Sequence, residues 1–143
     1  MRTMFMMGLA MIVGLTFGGV GRADEEVGPH KGPVAEWGDE EYHLEVVADA
    51  KTGAVTVYVY GNHSDLHKGK AKAIEAKTLT LSLKTSDPAT TVKLEAKPAK
   101  DDPEGKASLF VGKNDAFKTD KKLVGTISGK LGTKPYSGDF KQK

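Results

Sequence analysis

Cysteine is absent from this chain of 143 residues, and all five methionines and both arginines fall within its first 23 positions. Beyond that stretch there is no disulfide, no thiol nucleophile and no soft sulfur ligand, which argues against a dedicated Cu(I) carrier. The guanidinium forks that read phosphate and guanine are also missing. The remainder carries 19 lysines against 19 Asp plus Glu, so the formal charge of +2 belongs to the leading segment. A nucleic-acid partner is not expected from a balanced, arginine-free domain. Equally absent are "GxSxG", "HExxH", a phosphate loop and a dinucleotide fingerprint, which leaves enzymatic readings without a motif.

The first 23 residues place Arg2 ahead of an apolar run from Met4 to Val20, then small Gly21 and Ala23 before acidic "DEE". This is the pattern of a secretory signal peptide cut after Ala23. An uncleaved anchor is the competing reading, because the run approaches the roughly 17–25 residues of a spanning helix. Its glycines and the small residues at the cut favour cleavage. Three parts are expected: a signal peptide over 1–23, a flexible segment over 24–33, and one domain over 34–143, periplasmic or secreted and without stable membrane insertion. With no disulfides, that domain must rely on a single hydrophobic core.

Helical periodicity is nearly absent from Val34 onward, and alternation replaces it. The runs are "VAEW", "YHLEVVAD", "AVTVYVY", "TLTLSLK", "TVKLEA", "ASLFV", "LVGTISG" and "KPYSGDF". Requiring apolar residues to share a face fixes an expected register. A turn at 50–53 pairs Leu44 with Val59, Val46 with Val57, His43 with Tyr60 and Glu45 with Tyr58. A turn at 38–41 pairs Trp37 with Tyr42, Ala35 with Leu44 and Glu36 with His43. The Asp87-Pro88 signal pairs Leu83 with Val92, Leu81 with Leu94 and Leu79 with Ala96. A turn at 130–133 pairs Ile127 with Tyr136 and Leu123 with Phe140.

Seven to eight short strands with one apolar face each predict an all-β domain, an antiparallel sandwich or a small barrel, with the sandwich preferred. Lysines at alternate positions discourage edge pairing between molecules. The segment 97–106, with Asp101, Asp102 and Glu104, lacks the ligand spacing of a calcium loop and reads as a solvated connection. One helical turn is expected near Asn114.

The histidines carry the one chemical constellation. On the polar face of its strand, His43 is flanked by Glu36 and Tyr60. Tyr60 opens the loop "GNHSDLHKGK", which brings His63, Asp65 and His67. Imidazole and carboxylate donors suit Zn(II) or Cu(II), so the candidate ligands are His43, His63, His67, Asp65 and Glu36. Solvated loop histidines and an ordinary cross-strand pair are the plainer alternative. Gly61, Asn62 and Gly69 favour a loop, which weakens the spacing of His63 and His67. Extending the register sets His30 level with Asp49, about 20 Å from His43 at ~3.3 Å per residue.

The strings "GPHKGP", "YHLEVV" and "VTVYVY" resemble small exported bacterial proteins that carry "GPHGG", "YHLEVV" and a "VTVYVLD"-like strand. Related "HGG…YHLE" segments occur in periplasmic adaptor-like proteins of heavy-metal efflux systems. The matching positions are Gly28, Pro29, His30, Gly32, Tyr42, His43, Leu44 and Glu45. Lys31 replaces a glycine, adding a positive charge beside His30, and Tyr60-Gly61 replaces "LD". The resemblance implies an exported β domain.

Two functions follow as expectations. One is a non-enzymatic exported module that binds a divalent transition metal, and the other is an envelope protein that meets a protein partner with its histidines incidental. A hydrolase would need a pocket around Ser64, and "HSD" at 63–65 is too contiguous to form a triad easily.

Overall fold

A computed structural model describes residues 26–86 and 88–143. The expected signal peptide lies outside the described residues, as does Asp87 of the expected turn.

The alternating runs form eight strands: β1 (Val34–Trp37), β2 (Tyr42–Ala48), β3 (Ala54–Tyr60), β4 (Thr78–Leu83), β5 (Thr90–Ala96), β6 (Leu109–Lys113), β7 (Val124–Leu131) and β8 (Lys134–Lys141). All neighbours are antiparallel in one sheet ordered β1-β2-β3-β6-β5-β4-β7-β8. Its outermost strands, β1 and β8, lie against each other. Of the two expected architectures the protein therefore has the barrel-like one, a single sheet curled until it nearly closes.

Closure buries the inward alternate residues. Leu44, Val57, Leu81, Leu94, Phe110 and Ile127 come from six different strands, and each is fully inaccessible to solvent. Each buried Leu, Ile, Val or Phe contributes about 1.5–3 kcal/mol. Trp37 sits at the seam, donates its indole N–H to the Ile127 carbonyl at 3.1 Å, and stacks on Tyr136 at 5.4 Å. At Gly138 the two end strands approach so closely that a Cβ would stand 2.2 Å from the Glu36 carbonyl oxygen.

The expected pairings of β1 with β2 and of β2 with β3 are all present. The other two hairpins are displaced by two residues. Leu81 faces Val92 and Leu79 faces Leu94, while Leu83 faces Thr90; Ile127 faces Gly138 and Gly129 faces Tyr136. A slip of two returns every side chain to the same face, so hydrophobic patterning does not distinguish the two registers. Turn chemistry does. Ser86 Oγ lies 3.0 Å from Thr90 Oγ1 and donates to the Leu83 carbonyl, and Gly132, with φ of 62°, allows a two-residue turn between Leu131 and Lys134.

In the 97–106 connection, the Asp102 carboxylate accepts the Ala99 and Ser108 N–H groups at 2.7 and 2.8 Å, pinning a turn. Asn114 caps a 3₁₀ turn at Asp115–Phe117, close to the expected position.

Over β1–β3 the outer face is covered as well. Val34, His43, Glu45 and Tyr60 point away from the barrel interior yet are buried, together with Leu66 of a short helix. The cover consists of residues 26–33 and helix α1 (His63–Lys68).

Gly138→Val is expected to wedge the seam and cost about 1–3 kcal/mol. Urea unfolding followed by the fluorescence of Trp37, the single tryptophan, measures the loss.

Candidate metal centre

The site begins with the turn in "GPHKGP". Gly28 N–H donates to the Gly32 carbonyl and Lys31 N–H to the Gly28 carbonyl, both at 2.9 Å, and Val27 bridges Pro33. Residues 26–33 of the segment expected to be flexible are thus folded back on the barrel. Their anchor is the fully buried carboxylate of Glu45. That group accepts the backbone N–H of His30 at 2.8 Å and of Gly32 at 2.9 Å, the Tyr60 hydroxyl at 3.2 Å, and His30 Nδ1 at 2.8 Å. The His30 ring also stacks on Tyr58 at 4.0 Å.

The chain reverses instead of extending β1, so the expected 20 Å offset of His30 does not apply: His30 Nδ1 lies 3.4 Å from the hydroxyl of Tyr60, the cross-strand partner of His43. Burial first, then the neighbouring Glu45 charge and hydrogen bond, raise the Tyr60 phenol far above its ordinary range.

Close approach explains the glycines. A Cβ on Gly28 would stand 2.2 Å from Glu45 Cδ, and one on Gly32 2.2 Å from the Val46 carbonyl oxygen. Lys31 has φ of 65°, in the left-handed region that glycine enters freely.

Reversal of this segment presents Glu26, whose carbonyl accepts the Val34 N–H at 3.2 Å. Facing it is α1, where sequence reasoning expected a loop. Asn62 and Gly69, read as loop signals, are its caps: the Asn62 side chain accepts the Asp65 N–H at 3.0 Å, and Gly69 has the left-handed conformation of a C-cap. Buried Leu66 seats the helix against Val34 and Tyr60. His63 and His67, four apart, consequently share a face.

Their ligand atoms and that of Glu26 all lie within 4.8 Å of one another. Glu26 Oε1 is 2.7 Å from His63 Nδ1 and 3.7 Å from His67 Nε2, and the two Nε2 atoms are 2.8 Å apart. A carboxylate only accepts, so His63 donates from Nδ1. In the neutral ring His63 Nε2 then accepts, and the proton between the imidazoles belongs to His67.

His43 approaches from below. Its Nδ1 lies 2.8 Å from the Gly61 carbonyl, which fixes a proton on that nitrogen and, in the neutral ring, leaves the lone pair on Nε2. Nε2 is buried with no hydrogen-bond partner among the described residues, 3.9 Å from Glu26 Oε2. The His43 and His63 ring centroids are 6.0 Å apart, so the loop does return over His43.

Two of the five expected ligands are elsewhere. Glu36 faces His43 in register, but its exposed carboxylate accepts the Glu40 N–H at 3.0 Å across the β1–β2 turn. Asp65 points back at Gly61, where a Cβ would meet its Oδ2 at 2.4 Å. Because His63 turns to Glu26, "HSD" does not assemble a triad. Glu26 itself was missed. The signal available for it was "GPHKGP", a doubled Gly-Pro turn able to reverse the residues just before it.

Lys31→Gly is expected to stabilise the fold by about 0.5–1 kcal/mol, since strain relief outweighs the added freedom of the unfolded chain. Gly28→Ala should do the opposite, and chemical denaturation separates them. With a raised native phenol, stability linked to Tyr60 is complete below the unfolded tyrosine value near 10 and is lost as the pH rises above it. The stability difference between wild type and Tyr60→Phe should therefore change between about pH 9 and 11.

Comparison with protein-family models, with curated proteins and with solved structures finds no significant match, which leaves the geometry of the centre as the ground for a functional reading.

Proposed function

We propose that this chain is an exported, non-enzymatic β-barrel module that binds a divalent transition metal, Zn(II) or Cu(II), through His43, His63, His67 and Glu26. The observation that carries the reading is His43 Nε2, a buried nitrogen without a hydrogen-bond partner among the described residues. Leaving such a group unsatisfied costs about 1–3 kcal/mol. A cation between it and Glu26 would repay that cost, and the Gly61 carbonyl already fixes the tautomer a metal requires, as outer-sphere acceptors do for ligating histidines.

Tetrahedral ligands at 2.0–2.1 Å stand ~3.4 Å apart. One donor atom each from Glu26, His63 and His67 lies within 4.8 Å of the others, and His43 Nε2 stands 3.9 Å from the second oxygen of Glu26, Oε2. Nitrogen-rich donors without sulfur favour Cu(II) and Zn(II) over Ca(II) and Mg(II), which take oxygen ligands. A metal on His67 Nε2 would shift that ring's proton to Nδ1, and because protonated imidazoles compete with the ion, binding weakens on acidification.

Calorimetric titration of the untagged mature protein tests this. Zn(II) and Cu(II) should bind one per chain, with Ca(II) and Mg(II) silent. His63→Ala/His67→Ala and His43→Ala should each lose at least the about 10–100-fold that even an outer-shell change costs. Glu26→Gln should weaken binding while Glu36→Gln and Asp65→Asn leave it unchanged. Metal at 100 times Kd should raise the unfolding free energy by about 2.7 kcal/mol. Equal weak binding by wild type and the double variant would end the metal reading.

A further inference from the structure

The ligand set is sharply divided in accessibility. The side chains of His43 and Glu26 are 1% and 18% exposed, whereas those of His63 and His67 are 53% and 61% exposed. Four protein ligands fill a tetrahedral site, which zinc can expand to five-coordinate, so an incoming donor needs a face that the protein leaves uncovered. Here one hemisphere is walled by the barrel and the returning segment, and the other faces solvent.

Resting on the metal-binding reading, we propose that the centre is a transfer site, which passes its metal to an incoming nitrogen or oxygen donor by associative exchange through the solvent-facing hemisphere. His67 is the ligand that yields. It is the most exposed of the four, and it lies 3.7 Å from Glu26 where His63 lies 2.7 Å away. It also sits in the last turn of a six-residue helix, just before the Gly69 cap.

The incoming donor, already deprotonated, forms its bond to the metal before the His67 bond breaks. The metal keeps its +2 charge and no electron moves. The freed imidazole leaves as a neutral ring, keeping the electron pair of the broken bond. His43 and Glu26 hold the ion until further donor atoms replace them, so the acceptor must be multidentate: a chelating small molecule or a protein surface with clustered imidazole and carboxylate groups.

Stopped-flow mixing of the Zn(II)-loaded protein with the chromogenic chelator 4-(2-pyridylazo)resorcinol is the test. The observed rate should rise in proportion to chelator concentration across at least a tenfold range. His67→Ala should steepen that slope several-fold, whereas His43→Ala should weaken equilibrium binding without abolishing the chelator dependence. Metal binding by titration with a release rate independent of chelator would overturn transfer alone, because it marks a closed site that must open first. Failure of titration to detect metal would remove the metal-binding reading and this inference with it.

Discussion

The outer layer of this protein depends on the burial of one carboxylate. Glu45 stands on the face of β2 that the alternation pattern assigns to solvent, yet it is fully covered. Withdrawing a carboxylate from water costs several kcal/mol unless hydrogen bonds replace the lost hydration. Two backbone N–H groups, a phenol and an imidazole do so here, and charge-assisted bonds of this kind are the stronger sort. Both amides belong to the 28–32 turn, so satisfying the charge and folding back the segment are one event. Glu26 reaches the histidines as its consequence.

This dependence also explains the composition of the turn. Backbone donors can meet a buried carboxylate only if nothing stands between, and a Cβ at Gly28 would occupy the space of the Glu45 carboxyl carbon. Lys31 accepts a left-handed backbone for the same geometric purpose. The "GPHKGP" and "YHLE" strings are accordingly two halves of one contact.

Patterning made most of the barrel legible, because a period of two assigns each residue to a face. It could not fix register more finely than two residues, and the β4–β5 and β7–β8 hairpins moved by that amount. Nor could it distinguish two sheets from one, since inward faces look alike in a sandwich and a barrel. The candidate site divided along a different line. His43 was located by its place in a hairpin and His63 by its distance from Tyr60, both short-range inferences. Glu26 was not, because its position depends on a reversal driven by a carboxylate that the pattern had placed in water. Asn62 and Gly69 show the remaining weakness: each marks a break in regular structure, and the same residues begin and end a six-residue helix.

Among the described residues the core cluster of the barrel is apolar. A site in such a fold has to be built on the outer surface and given its own cover. The cover must bury enough to hold a histidine dry while leaving ligands reachable. Leu66 and Val34 supply the buried apolar contact, and the exposed imidazoles of α1 supply the access. A metal would then join the returning segment through Glu26, the sheet through His43 and the helix through His63 and His67. The cover is already folded through Glu45, so binding energy would go into coordination, and the small size of that cover, eight residues and a helix of about 1.7 turns, keeps the open hemisphere open.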